Sequence, residues 1–218
     1  MTDLDEQRDR LAQGVAALGL ALDTAVLDAL LAYLDLLAKW NRVYNLTAVR
    51  DPAQMLTHHL LDSLAVVAPL RRHTGGQPVR LLDVGSGGGL PGAVIAICCP
   101  EIDVTCVDAV AKKVSFIQQV AASLKRSNLH GLHARVEAVT RPFDVVASRA
   151  FASLGDFVMG SRAARGERGV WMAMKGKHPT DELAALPAFA EVFHVERLAV
   201  PGLDAERCLV WMRPQCST

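Results

Sequence analysis

The chain has 218 residues, of which 51% are hydrophobic, and its 23 basic and 23 acidic side chains give a formal net charge of zero. This length suits one α/β domain with an accessory piece, and the apolar content is sufficient for a core. The balanced charge excludes a global basic field, so any RNA contact has to use a local patch. No apolar run approaches the ~20 residues of a membrane span and the start is acidic, so we expect a cytoplasmic protein.

Cysteine and histidine spacing gives no sign of a metal centre. Five cysteines, at positions 98, 99, 106, 208 and 216, form no C-x-x-C pair. They fit neither a disulfide framework nor a zinc knuckle, and we expect reduced packing residues. The histidine pairs at 58 and 59 and at 130 and 133 lack a third ligand at a suitable spacing. The sequence therefore predicts no metal site.

The first part of the chain has helical patterning. A short amphipathic segment closed by Gly19 is followed by a second one that starts at Thr24, placed as the N-cap, with apolar positions at the 3.6-residue period. Asp51 before Pro52 predicts the start of a third helix, which we expect to end near Pro69. The stretch RRHTGGQP that follows is typical of a linker. We therefore expect an N-terminal helical extension over residues 1–72.

From residue 73 to 218, strand and helix signals alternate, which predicts a mostly parallel sheet with helices on both faces. The short connection VPGLDAER leaves no room for a crossover helix, so the last two strands should pair antiparallel. The seven predicted strands are Val79 to Val84, Asp103 to Asp108, Leu132 to Val136, Phe143 to Ser148, Gly169 to Lys175, Val192 to Leu198 and Cys208 to Met212.

The most informative stretch is LLDVGSGGGLPGAVIAICCPEIDVTCVD, from Leu81 to Asp108. A strand, a glycine turn, a helix and a strand ending in an acid form the first unit of a nucleotide-binding α/β domain. The dinucleotide fingerprint G-x-G-x-x-G requires a third glycine where this chain has Leu90. Because S-adenosylmethionine has a ribose and an adenine but no pyrophosphate, the turn favours this cofactor over NAD.

Ligands in open α/β sheets lie outside the carboxyl ends of the strands. Gly85, Gly87 and Leu90 should border the methionine and ribose, with the backbone of Gly85 approaching most closely. Asp83 would organise the turn. Asp108 would accept hydrogen bonds from the ribose hydroxyls, although a solvated acid at a strand end is the competing interpretation.

Five motifs in order resemble a known family. They are Asn45-Leu46-Thr47, His59-Leu60-Leu61-Asp62-Ser63, LLDVGSGGGLPG, Ser148-Arg149-Ala150-Phe151-Ala152 and Lys175-Gly176. From about Trp40 to Leu209 the chain is similar to the bacterial 16S ribosomal RNA guanine-N7 methyltransferases, the RsmG or GidB family. The resemblance implies an α/β fold, a Rossmann-like seven-stranded methyltransferase sheet with its last strand antiparallel and an N-terminal helical extension. It also implies S-adenosylmethionine as cofactor and 16S rRNA or the small ribosomal subunit as substrate.

The resemblance adds two elements to the cofactor site. It implies a cofactor contact at Val136 and Glu137, at the end of the predicted third strand, where a backbone N–H and a carboxylate could read the adenine. It also assigns Arg149 to the cofactor. From its position alone, Arg149 could pair with the methionine carboxylate, with a target phosphate or in a structural salt bridge.

Other residues are candidates for the RNA side. Lys175 and Lys177 could contact the RNA backbone as point charges, or could simply be solvated. His59 shares a predicted helix face with Asp62 and Ser63 and could shape the substrate side, although a core or capping role is equally compatible. Phe151 could stack on an unstacked guanine or could belong to the core.

Guanine N7 carries a free lone pair, so methyl transfer to it requires no base to remove a proton. The sequence therefore predicts catalysis mainly by alignment, with no indispensable general base. Because the glycine turn indicates only the cofactor, a small-molecule or protein methyltransferase and a non-catalytic nucleoside-binding regulator remain alternatives. The oligomeric state is left open, and a monomer is compatible with the sequence.

Overall fold

The computed structural model describes residues 3–149 and 151–215. Helix α1 spans Asp3–Ala17 and helix α2 spans Thr24–Tyr44. The predicted N-cap of α2 is wrong by one residue: the Asp23 carboxylate accepts a hydrogen bond of 2.8 Å from the Val26 backbone N–H, so Asp23 is the cap. Its extended backbone lets the short side chain reach an amide that has no partner inside the helix.

The third helical region is less regular than the sequence predicts. It consists of α3 (Pro52–Met55), a π-helical turn (Leu56–Leu61) and α4 (Asp62–Leu64). A separate helix, α5 (Val67–Thr74), then contains Pro69, so the predicted end at Pro69 and the predicted start of the linker are both wrong. Proline is accommodated because it lies in the first turn of α5, where its missing N–H is not required.

The remaining elements alternate as predicted. They are β1 (Val79–Val84), α6 (Gly92–Cys98), β2 (Ile102–Asp108), α7 (Ala111–Ser123), β3 (Leu129–His133), β4 (Phe143–Arg149), α8 (Leu154–Gly160), β5 (Arg165–Lys175), α9 (Thr180–Ala184), β6 (Ala190–Arg197) and β7 (Cys208–Pro214). The seven strands form one sheet in the order β3-β2-β1-β4-β5-β7-β6. Strand β7 is antiparallel to both β5 and β6, which confirms the predicted pairing of the last two strands.

The third strand is the least accurate of the strand predictions. It begins at Leu129, not Leu132, and ends at His133, while Val136 belongs to a short 3-10 turn, Val136–Ala138. The Asn128 side-chain amide donates to the carbonyl oxygens of Ala96 and Ile102 at 3.1 and 3.0 Å, which fixes the start of the strand. The Val136 side chain is apolar and buried, as that of a strand residue would be, so the sequence places Val136 in the strand.

The apolar core joins the helical extension to the sheet. Leu30 and Leu37 of α2 and Leu60 of the π-helical turn belong to the same buried cluster as Ile95 of α6 and Phe116 of α7. The division of the chain at residue 72 stays a prediction about domain organisation. None of the helices within the described ranges is long and apolar enough to cross a membrane.

The cysteine prediction can be checked at four of the five positions. Cys98, Cys99, Cys106 and Cys208 are buried free thiols, as expected for packing residues. Cys216 lies outside the described residues. Among the residues that the structure describes, there is no group of three or more potential histidine, cysteine or carboxylate ligands that could hold a metal ion.

Candidate active site

The glycine turn after β1 is held against the end of β2. The Gly85 backbone N–H donates to the Val107 carbonyl oxygen at 2.9 Å. Gly85 and Gly87 have φ angles of +66° and +56°, in the left-handed region that favours glycine. Apart from Gly85 and its two chain neighbours, no residue has an atom within 4 Å of the position that a Cβ atom of Gly85 would occupy. The turn therefore leaves the space for a close backbone approach to a ligand.

Asp108 is fixed beside this turn. It is 7% exposed, and its carboxylate accepts hydrogen bonds from the backbone N–H groups of Gly87 at 3.1 Å and Val110 at 2.9 Å. The Lys113 ammonium lies 3.5 Å from the same carboxylate. Because each carboxylate oxygen has two lone pairs, Asp108 can still accept from hydroxyl groups of a ligand while it holds the turn.

Asp83 lies beneath the turn and is fully buried. Its Oδ2 atom accepts a hydrogen bond of 2.8 Å from the Gly92 N–H, at the start of α6. Burial raises the pKa of this carboxyl to about 7, an effect opposed by the Gly92 N–H and by Arg149. The Oδ1 atom has no hydrogen-bond partner among the described residues.

Gly92 provides the close helix–strand contact that the dinucleotide fingerprint would place at position 90. A Cβ atom at residue 92 would lie 2.6 Å from Cys106 Sγ and 2.7 Å from Asp83 Oδ2. Leu90 is a buried apolar residue. The glycine required for close packing is therefore displaced by two residues from its place in the dinucleotide fingerprint.

Five of the predicted residues lie together in one cavity of about 230 Å³, which we call the Asp108 cavity. They are Gly85, Asp108, Val136, Glu137 and Phe151. The wall is completed by Val84, Val107, Ala109, Ala134 and Arg135. The Phe151 ring is half-buried and packs on Phe157, with 5.7 Å between ring centroids. Phe151, which was predicted on the RNA side, thus lies in the same cavity as Asp108, the residue that was predicted to bind the ribose.

A second cavity, of about 420 Å³, brings together His59, Arg149 and Lys175, and we call it the Arg149 cavity. The rest of its wall consists of Val49, His58, Asp62, Met174, Gly176 and Arg207. Neither cavity wall includes the predicted residues Asp83, Gly87, Leu90 or Lys177, as far as the described residues extend. Lys177 is exposed just beyond the end of β5.

The cations of the Arg149 cavity are paired with acids. Arg149 Nη1 lies 3.0 Å from Asp62 Oδ2, and Arg207 Nε lies 2.7 Å from Asp62 Oδ1. Lys175 Nζ lies 2.8 Å from Glu182 Oε1. The structure thus contains the salt bridge that was one of the interpretations of Arg149, while its contact with the cofactor stays a prediction.

His59 is 6% exposed in the same wall. Its Nε2 atom is 3.0 Å from Thr47 Oγ1, so the π-helical turn is connected to the loop after α2. Burial and the nearby Arg149 lower the pKa of the His59 imidazole to about 4. The side chain is therefore neutral at physiological pH, where it adds no charge to the cavity.

Two residues of the site were missed by the sequence analysis. Arg207 precedes β7, whose first residue, Cys208, pairs with Lys175. The short connection predicted between the last two strands ends at Arg207, and this position was the signal that could have located it. Tyr33 of α2 donates a hydrogen bond of 2.6 Å to the Gly88 carbonyl oxygen. No local signal indicates a contact across 55 residues of sequence.

The strand order and the two cavities define a class of protein. Strands β2, β1, β4 and β5 are adjacent, so the ends that carry Asp108, Gly85, Arg149 and Lys175 follow one another along one edge of the sheet. A glycine turn with an acid at the end of the second strand, in a sheet with an antiparallel seventh strand, is the arrangement of Rossmann-like methyltransferases.

Comparisons with known proteins identify the family. Residues 26–210 match the family GidB, described as rRNA small subunit methyltransferase G. The ribosomal RNA small subunit methyltransferase G of Acidovorax sp. (strain JS42) is 66% identical over 212 residues, covering 94% of each chain. The protein of the same name from Paracidovorax citrulli is 65% identical, covering 94% of this chain and 89% of its own. This chain therefore belongs to the GidB family of small-subunit rRNA methyltransferases.

Solved structures agree on the fold. TrmN from Thermus thermophilus superposes with a TM-score of 0.56 at 18% identity, covering 73% of this chain and 53% of its own. The 1,6-didemethyltoxoflavin-N1-methyltransferase of Burkholderia thailandensis, solved with S-adenosylhomocysteine, gives 0.57 at 16% identity, covering 85% and 89%. The predicted family, fold class, enzymatic class and S-adenosylmethionine cofactor are confirmed.

Proposed function

We propose that this enzyme methylates N7 of a guanine in 16S rRNA, with the methyl donor in the Asp108 cavity and the target guanine at the Arg149 cavity. The observation that carries the proposal is the order of strand ends along one sheet edge. Gly85, which follows β1, lies between the Asp108 end of β2 and the Arg149 end of β4. A ligand crossing the glycine turn therefore passes from one cavity toward the other.

The residues of the Asp108 cavity fit S-adenosylmethionine. The positive φ angles of Gly85 and Gly87, with open space at Gly85, provide the backbone approach that the donor requires. Apolar Val136 offers a surface for an adenine, and Asp108 offers acceptors for a ribose. We propose that the cofactor site comprises Asp83, Gly85, Gly87, Leu90, Asp108, Val136, Glu137 and Arg149.

The bound donor supplies an electrophilic methyl group on a sulfonium, and the protein has to align it with the guanine. N7 attacks with its own lone pair, so no side chain has to remove a proton. We propose that Lys175, Lys177, His59 and Phe151 form the RNA side. Neutral His59 acts there by shape rather than as a base, because its pKa of about 4 keeps it unprotonated at neutral pH. The positive charge that arises on the base is the one that leaves the sulfonium, so the transfer creates no additional charge in the site.

The finer aspects of the setting are also proposals. We propose that the enzyme acts in the cytoplasm, where rRNA is assembled into small subunits.

Incubation of the purified protein with small subunits and with naked 16S rRNA, each with S-adenosylmethionine, tests the reaction. Mass spectrometry of the digested RNA should show one N7-methylguanosine per molecule in at least one of the two substrates. A methyl group on another base atom, or on ribosomal protein only, would contradict the proposal.

Lys177→Gln tests the RNA side. The exposed Lys177 ammonium should contribute one phosphate contact, so the variant should bind RNA more weakly with a salt dependence reduced by about one ion. Lys125→Gln is the matched control, because Lys125 is an exposed lysine after α7, at the opposite edge of the sheet. Equal RNA affinities for both variants and the wild type would remove Lys177 from the RNA site.

A further inference from the structure

A single buried carboxylate connects three separate segments at the wall of the Arg149 cavity. Asp62, 3% exposed, is the first residue of α4, directly after the π-helical turn. Its Oδ2 accepts from Arg149 Nη1 at 3.0 Å, and its Oδ1 accepts from Arg207 Nε at 2.7 Å. Arg149 Nη1 also donates to the His58 carbonyl oxygen at 3.0 Å. Both carboxylate oxygens are thus engaged by guanidinium groups, one from the last residue of β4 and one from the residue before β7.

The bonds to Asp62 fix the orientation of two rigid groups. A guanidinium is planar, so a hydrogen bond at one nitrogen, with the stem held by the backbone, sets the direction of the other N–H groups. Among the hydrogen bonds of the described residues, none uses Arg149 Nη2 or Arg207 Nη2. Both arginine side chains are about one-fifth exposed, at 20% and 22%, and both line the cavity. They therefore retain donors for an anionic or carbonyl group of a ligand.

The positive charges of Arg149 and Arg207 require an acid between them, and Asp62 is that acid. Two guanidinium groups that contact one carboxylate are close enough to repel each other, and their partial burial weakens screening by water. Asp62 offsets this repulsion and leaves a net charge of +1 on the three side chains. Because Asp62 belongs to the helical extension and the arginines to the sheet region, the extension has a role in the site beyond packing.

We propose that Asp62 is a positioning residue for methyl transfer: its carboxylate orients the Arg149 and Arg207 guanidinium groups toward the ligands of the Arg149 cavity. This inference rests on the proposed function, in which that cavity receives the target guanine. Asp62 also lines this cavity, and because each of its oxygens holds one guanidinium group, the role argued for it acts through the two arginines.

The variant Asp62→Asn distinguishes a positioning role of Asp62 from a purely electrostatic one. The variant removes one negative charge near the RNA site, so a purely electrostatic role predicts RNA binding that is unchanged or tighter, with unimpaired turnover. Positioning predicts the opposite for catalysis, because an amide accepts from one guanidinium but presents N–H groups to the other. We expect kcat/KM on small subunits to fall about tenfold or more, with RNA affinity not weakened. The control is Asp35→Asn, which removes an exposed acid paired with Lys39 on α2 and should retain wild-type turnover.

A double-mutant cycle excludes a merely structural role. In an Arg207→Lys background, one of the two orientations is already lost, so Asp62→Asn should cost less than about threefold in kcat/KM. An equal fold-loss in both backgrounds, or wild-type kcat/KM for Asp62→Asn, would overturn the proposal. Should Asp62→Asn fail to fold, Arg207→Lys alone decides: it keeps the charge and should still lower kcat/KM at least fivefold, and a wild-type value would overturn the proposal.

A spectroscopic measurement keeps this inference separate from the reaction itself. In the ¹⁵N spectrum of the full chain, Arg207 Nε–H should give a signal protected from solvent exchange, and Asp62→Asn should remove the protection while Asp35→Asn preserves it. An unprotected wild-type signal, or one unaltered in Asp62→Asn, contradicts the positioning role. A wild type that shows the protected signal but methylates no guanine N7 contradicts the proposed function instead.

Discussion

The hydroxyl group of Tyr33 donates a hydrogen bond of 2.6 Å to the carbonyl oxygen of Gly88. Tyr33 is fully buried in α2, and Gly88 lies in the middle of the glycine turn, so the helical extension supports this turn from behind. Burial raises the pKa of the Tyr33 hydroxyl well above its ordinary value, so the proton required for donation is retained. Leu37, one turn further along α2, occupies the space where a Cβ atom of residue 88 would lie.

Tyr33→Phe should therefore weaken both folding and cofactor binding. The Gly88 carbonyl would lose this buried donor, at a cost of about 1–3 kcal/mol in the free energy of unfolding. We expect a lower melting temperature and a several-fold higher Kd for S-adenosylmethionine in calorimetric titration. Tyr44→Phe is the control, since Tyr44 is 40% exposed at the end of α2. If both variants bind the cofactor as the wild type does, the extension does not support the loop.

Gly92→Ala should destabilise the junction of α6 and the sheet. The added methyl group would lie 2.6 Å from Cys106 Sγ and 2.7 Å from Asp83 Oδ2, so the helix has to move outward. Overpacking of this kind costs about 1–3 kcal/mol, which urea-induced unfolding would detect. In Gly155→Ala, a control within α8, the nearest atoms are 3.8 Å away, and stability should be equal to or above that of the wild type. Equal stability of Gly92→Ala and the wild type would show that this contact is not tight.

The carboxyl of Asp83 should make stability depend on pH. Burial raises its folded-state pKa from 3.8 to about 7, so the neutral acid is the form favoured by folding. Its stabilising contribution is therefore complete below about pH 4 and is lost as the pH rises through about 7. Relative to Asp83→Asn, which does not titrate, the wild type should lose stability between pH 4 and 7, and the difference should level off above that range.

Urea unfolding of both proteins at several pH values measures this difference. Between pH 4 and pH 7, the difference in free energy of unfolding between the wild type and Asp83→Asn should change by roughly 4 kcal/mol at most, since each pKa unit corresponds to about 1.36 kcal/mol. A stability difference that stays constant between pH 4 and 8 would mean that Asp83 is ionised in the folded protein.

Much of the site could be predicted because it lies at strand ends. Gly85 and Asp108 follow directly from a strand, glycine turn, helix and acid pattern, and the antiparallel pairing of β6 and β7 follows from a short connection. These features depend on local sequence, with periods and turn residues that have fixed physical meaning. Arg149 was located by its strand, while its partner Asp62 was only placed on a shared helix face.

The remainder depends on contacts between distant segments. The shift of β3 to Leu129 depends on carbonyl groups of α6 and of the start of β2, which the Asn128 amide contacts across 32 and 26 residues. The helix-packing glycine is at 92 rather than 90 because the turn is longer than that of the dinucleotide fingerprint. The pairing of Arg207 with Asp62 spans 145 residues. No local pattern encodes such pairs, since tertiary packing selects them.

Calorimetric titration of S-adenosylmethionine into Asp108→Asn and Asp103→Asn tests the central claim most directly. Both residues belong to β2, but Asp108 lies in the cavity at the carboxyl end, whereas the half-exposed Asp103 pairs with His130 near the other end. The amide in Asp108→Asn would present N–H groups to the Gly87 or Val110 N–H and would lose an acceptor for the ribose. We predict that its Kd rises at least about tenfold while Asp103→Asn binds as the wild type does. Wild-type affinity in Asp108→Asn would contradict the assignment of this cavity to the methyl donor.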